Sequence, residues 1–138
     1  IKGFKSQIES AKGIELVEIS YDELTEESGF NAVNSFFKKG GNFDGIFALY
    51  DILAVGIYSA LHNNNKRIPE DVCVLGFEGV SYAPYLIPPL TTFNIHHSNY
   101  YREALDILLK IIFGEIKTQM TKYFKVELIL RGSTRNLN

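Results

Sequence analysis

The chain has no tryptophan, one methionine and one cysteine among its 138 residues. A single thiol, Cys73, excludes an internal disulfide and fits the reducing cytoplasm. An excess of positive charge is also lacking. Fourteen Lys and Arg stand against sixteen Asp and Glu, a net charge of −2, so the basic footprint of a nucleic-acid-binding surface is missing. No apolar run approaches the roughly 18 residues of a membrane span; the longest, Ile107–Phe113, is broken by Lys110. There is no G-x-G-x-x-G or G-x-x-x-x-G-K-[ST] phosphate loop and no G-x-S-x-G elbow, so cofactor loops and an activated serine are excluded. No cofactor is expected. The chain opens at Ile1 without a signal-peptide pattern, and IKGFKSQIESAK already reads as the middle of a helix, with Phe4, Ile8 and Ala11 at helical spacing. A piece of a longer protein is the expectation.

What is present is an alternation of strand and helix patterns. Hydrophobic residues at 46% against 22% charged residues describe a globular chain with a real core. The first helix should stop near Gly13, and IELVEI (14–19) reads as a strand. Thr25 is placed to cap a helix carrying Phe30, Val33 and Phe37, with Glu26 and Glu27 in its first turn and Lys38 and Lys39 in its last. DGIFALY (44–50) reads as a strand, 52–63 as a helix, VCVLGF (72–77) as a strand buried on both faces, and TTFNI (91–95) as another strand. Ser98 should cap a helix to Phe113 with a stripe of Tyr101, Ala104, Leu105, Leu108, Ile111 and Ile112. KYFKVELIL (122–130) alternates as a half-buried strand with Phe124, Val126, Leu128 and Leu130 inward. The order predicts an α/β fold, a mostly parallel sheet with helices on both faces. In such sheets ligands sit beyond the carboxyl ends of the strands, here Ser20–Leu24, Tyr50-Asp51, Phe77–Ser81 and His96-His97.

Each chemical candidate there has a plainer reading. Asp51, between strand and helix, reads as a helix cap, a ligand contact or a catalytic acid. Tyr50 either packs at the core edge or floors a pocket with its ring while its hydroxyl makes one hydrogen bond. Glu78 reads as a solvated carboxylate or as an acceptor for ligand protons. Asp51 and Glu78 would form a paired-carboxylate site only at a separation that spacing does not fix. His96 and His97 are adjacent on a strand and point to opposite faces, and His62 ends a helix, so no metal site is expected. Cys73 reads as inert packing.

FDGIFALYDILAVGIYSAL, RIPEDVCVLGFEGV, Y-L-I-PPLTT and LILRGSTR, in this order and covering essentially the whole chain, resemble the effector-binding core of lactose-repressor-type (LacI/GalR) transcription regulators. The resemblance implies two Rossmann-like subdomains of the type I periplasmic-binding-protein kind. A small ligand, usually a sugar, is held in the cleft between them. It also implies a homodimer, and operator DNA bound through an N-terminal helix-turn-helix absent from this chain. Residues 1–95 would be the C-terminal subdomain without its first strand, 96–114 a crossover helix of the absent N-terminal subdomain, and 115–138 the return strand. Tyr50 stands where the family usually carries asparagine, Asp51 matches the aspartate after it, and Glu78 stands where aspartate is usual, with Gly79 after it. Leu24 and His97 fall near the cleft, and Ile95 replaces a common glutamine. Val55, Ser59, Tyr82 and Leu86 match the dimer surfaces. The resemblance further implies a cytoplasmic protein without catalytic activity. A periplasmic sugar-binding protein serving a transporter shares the fold and is the alternative. Without its first strand and its partner subdomain, the chain is expected not to fold cooperatively on its own.

Overall fold

The computed structural model describes residues 2–95 and 100–135. The expectations for His96, His97 and the capping Ser98 therefore fall outside the described residues. The elements are α1 (Lys2–Ser10), α2 (Glu26–Lys38), β1 (Gly45–Phe47), α3 (Asp51–Asn63), β2 (Cys73–Glu78), a short 3-10 turn (Ala83–Tyr85), β3 (Thr91–Asn94), α4 (Tyr100–Ile112) and β4 (Glu127–Ile129). One sheet has the order β1-β2-β3-β4. The first three strands are parallel and β4 is antiparallel to β3.

The middle of the fold is α3. Eight of its thirteen residues are buried, which makes it the helix between the sheet and α2 rather than a surface helix. Its Leu53, Ala54, Ile57 and Leu61 join Val33 of α2 and Val74 of β2 in one core cluster. The two helices meet backbone to backbone: a Cβ at Gly56 would overlap the Glu26 carbonyl, and one at Gly29 the Leu53 carbonyl. At the start of α2, Thr25 Oγ1 accepts from the Ser28 N–H at 3.2 Å, as the sequence predicts. The opposite sheet face carries an aromatic row. Phe47 and Phe93 have ring centroids 6.5 Å apart, Phe77 and Phe93 6.1 Å, and Phe4 of α1 meets Phe47 at 4.9 Å. Helices thus reach both faces.

The closing segment is hooked onto the sheet. Ser133 is fully buried, donates through Oγ to the Val74 carbonyl at 2.6 Å and accepts from the Thr91 N–H at 2.8 Å. Arg131 donates through Nη1 to the Leu90 carbonyl at 2.6 Å.

Three expectations are corrected. Residues 14–19 form no strand, because no strand lies beside them among the described residues and strand geometry needs a neighbour's hydrogen bonds. Residues 44–50 shorten to Gly45–Phe47. The strand expected over 122–130 shortens to Glu127–Ile129, with the inward face reversed: Val126, Leu128 and Leu130 are exposed and Ile129 is half-buried. The register set by β3, Thr92 opposite Ile129, decides which face of β4 turns inward.

Candidate functional site

The carboxyl ends of β1, β2 and β3 lie at one edge of the sheet because the three strands are parallel. Tyr50 follows the end of β1 by three residues, and Glu78 is the last residue of β2. Tyr50 is the N-cap residue of α3, in extended backbone, and its side chain makes no capping hydrogen bond. It is exposed. Glu78 ends β2 half-buried, with a positive φ of 129° that L-residues seldom adopt.

Asp51 does not cap α3, which corrects the cap reading. It is the first helical residue, and its carboxylate turns away from its own helix toward the ends of β2 and β3. Oδ2 accepts from the Gly79 N–H at 2.9 Å and the Val80 N–H at 3.0 Å; Oδ1 accepts from the Thr92 hydroxyl at 2.8 Å. The residue is 0% exposed. Position at the first turn also lets the helix dipole favour a negative group. Gly76 is required beside it, since a Cβ there would overlap Oδ1. Gly79, at φ 78°, sits so close to Asn94 that a Cβ would come within 2.8 Å of its Cα. A larger side chain would not fit at this position in this backbone.

Leu24 lies in the turn that leads into α2 and is half exposed. Ile95 is half-buried at the end of β3. Val55 and Ser59 share the less buried side of α3, Ser59 donating to the Val55 carbonyl at 3.4 Å. Tyr82 and Leu86 are half-buried in the loop after β2. Burial raises the Tyr82 hydroxyl pKa, and the charges of Asp51, Glu26 and Glu78 raise it further, so this tyrosine belongs to the electrostatic neighbourhood of the strand-end carboxylates. That link was missed in the sequence, as were Thr92 and Gly76. Polar Thr91-Thr92 in a buried strand was the available signal, because a buried hydroxyl needs a partner. Two more residues of this loop, Tyr85 and Ile87, are 82% and 91% exposed and are its most prominent apolar surface.

A cavity of about 750 Å³ lies elsewhere. It runs between residues 13–19 and β1, walled by Ile14, Leu16, Val17, Phe47, Leu49 and Leu53, and touches none of Tyr50, Asp51 and Glu78. It borders the outer edge of β1, which is the last strand on that side of the sheet. Among the described residues no group of three His, Cys, Asp or Glu side chains is placed to hold a metal ion, and no helix is long and apolar enough to cross a membrane.

Residues 1–134 match the family described as periplasmic binding protein-like domain. The chain belongs to this family. Within it, the chain is 35% identical over 122 residues to the HTH-type transcriptional repressor PurR of Actinobacillus pleuropneumoniae serotype 3 (strain JL03), covering 84% of this chain and 35% of that protein. Its backbone matches a LacI family transcriptional regulator from Arthrobacter sp. FB24 in complex with lactose, at TM-score 0.82 and 28% identity, over 97% of this chain and 50% of that one. It also matches a transcriptional regulator CelR–cellobiose complex at TM-score 0.84 and 28% identity, over 96% of this chain and 41% of the other. This periplasmic-binding-protein-like chain thus corresponds to part of the effector-binding core of LacI-type regulators. It spans between about a third and a half of the length of these relatives.

Proposed function

We propose that the chain is the effector-binding and dimerising part of a LacI-type, DNA-binding transcription regulator. It senses a small, sugar-like molecule without catalysing a reaction. The observation that carries the reading is that Tyr50, after β1, and Glu78, at the end of β2, both stand at the carboxyl ends of parallel strands, in a chain similar to regulators that hold lactose and cellobiose. Leu24 and His97 complete the proposed ligand contacts. Asp51, without exposed surface, serves the site from behind. Val55, Ser59, Tyr82 and Leu86 face the second protomer, and operator DNA is bound through a helix-turn-helix outside this chain, in the cytoplasm. Residues 1–95 and 115–138 form the C-terminal subdomain, and 96–114 cross to the N-terminal one. A ligand touching both subdomains favours one relative orientation, and only its differential affinity for the two orientations shifts the equilibrium toward operator release or binding.

The side chains favour a ligand other than a fully hydroxyl-matched sugar. Tyr50 in place of asparagine removes a group that donates and accepts at once, and Ile95 in place of glutamine removes another. Sites that hydrogen-bond hydroxyls discriminate strongly against molecules lacking them, and this one has lost two such groups. A thermal-shift screen of the intact regulator against sugars, nucleosides and amino acids identifies the effector. Glu78→Gln should then weaken it about ten-fold or more, the scale of a charged hydrogen bond, and Tyr50→Asn should change which ligands bind. Unchanged affinity in both variants would disprove the site assignment.

A further inference from the structure

We propose that Asp51 is the positioning residue of the ligand site, acting through the backbone of Glu78; this rests on the reading of Glu78 as a ligand contact. Two non-glycine residues among those described have positive φ: Asn65 at 55° and Glu78 at 129°. Asn65 follows the end of α3 and is of a type that adopts left-handed backbone readily. Glu78 is not, and its φ lies where glycine is the usual occupant. Strained backbone of this kind persists only where the surroundings enforce it. The enforcing group is the Asp51 carboxylate. The two peptide N–H groups that follow Glu78, those of Gly79 and Val80, converge on a single Asp51 oxygen. The other oxygen is held by Thr92 from β3, and the missing Cβ of Gly76 leaves the space for it.

The strut therefore joins three elements at the site edge: α3, which carries Tyr50 at its cap; the end of β2, which carries Glu78; and β3. The Asp51 carboxylate is held by Gly79, Val80 and Thr92, and none of its surface is exposed. Its effect on a ligand passes through the conformation it imposes on residue 78.

A double-mutant cycle on thermal stability in the intact regulator tests this without a ligand. Glu78→Gly should raise Tm, because glycine accepts the imposed φ. Asp51→Ala should lower Tm. Combined with Asp51→Ala, Glu78→Gly should give half its gain or less, since residue 78 is no longer held. Asp51→Asn should keep most of the gain: its amide oxygen can accept from Gly79 and Val80 while its NH2 donates to the Thr92 hydroxyl oxygen. Should Asp51→Ala not fold, Thr92→Val, which frees one carboxylate oxygen, takes its place in the cycle with the same sign expected. An additive cycle, or a Glu78→Gly variant that gains no stability, overturns the proposal. The ligand reading is judged separately by Glu78→Gln, which leaves the backbone conformation alone. Coupling in the cycle together with unchanged binding of the screened sugars by Glu78→Gln would refute the ligand reading and leave the strut standing.

Discussion

At the scale of single residues, adjacent side chains at one strand end have unrelated jobs. Tyr50 occupies the cap position but is exposed; Asp51 enters the helix and is buried. The sequence shows a Tyr-Asp pair between a strand and a helix, and either residue could cap. Which one does depends on where the first helical φ falls, and on the donors presented by Gly79, Val80 and Thr92 from 28 to 41 residues away. Thr25 was legible because its partner, Ser28, is three residues along the same chain. Tyr58 carries the clearest pH effect. Its hydroxyl donates to the Pro88 carbonyl at 3.0 Å, and burial pushes its pKa up to about 12. The unfolded value is about 10, so the folded state holds its proton more tightly. That contribution is complete below about pH 10 and is lost as pH rises from about 10 to about 12, on the order of 2 kcal/mol in all. Tyr58→Phe should cost about 1 kcal/mol at neutral pH and flatten this alkaline limb in urea unfolding of the intact regulator. An alkaline slope identical in both proteins would refute it.

At the scale of elements, α2 and α3 behave as one unit because two glycines let their backbones touch. Gly56→Ala should destabilise by about 1–3 kcal/mol, the scale of overpacking in a filled core, since the clash is with a main-chain carbonyl rather than a side chain able to move. Equilibrium denaturation measures it; a loss below about 0.5 kcal/mol would mean that the helices can separate without cost. These helices were readable from spacing, caps and glycine stops, all local signals. The strands were less so. VCVLGF was placed well, but IELVEI, also read as a strand, makes none. The difference lies in neighbours: β2 is flanked by β1 and β3, whereas 14–19 has only the cavity between it and β1.

For the whole molecule, the apolar surface is badly distributed. On α4, Tyr101, Leu105, Leu108, Ile111 and Ile112 are exposed, as is Phe113 just after it, and no residue of this helix is buried. Ile14, Leu16 and Val17 are exposed beside the cavity. At roughly 25 cal/mol per Å² of apolar surface, leaving several large side chains in water is comparable with the few kcal/mol by which a domain is stable. The 138 residues alone should therefore melt broadly, with strong binding of a hydrophobic dye at room temperature. A single sharp calorimetric transition would contradict this. The sequence by itself determined the helices, the α/β class and the mostly parallel sheet, because helical period, caps and apolar runs are written in neighbouring residues. Only the tertiary structure decided that Asp51 is a strut, that Gly76 and Thr92 serve it, that residues 14–19 stay unpaired and which face of β4 is inward. Each of these depends on groups brought together from distant parts of the chain, and a hydrogen bond or a register exists only once both partners are in place.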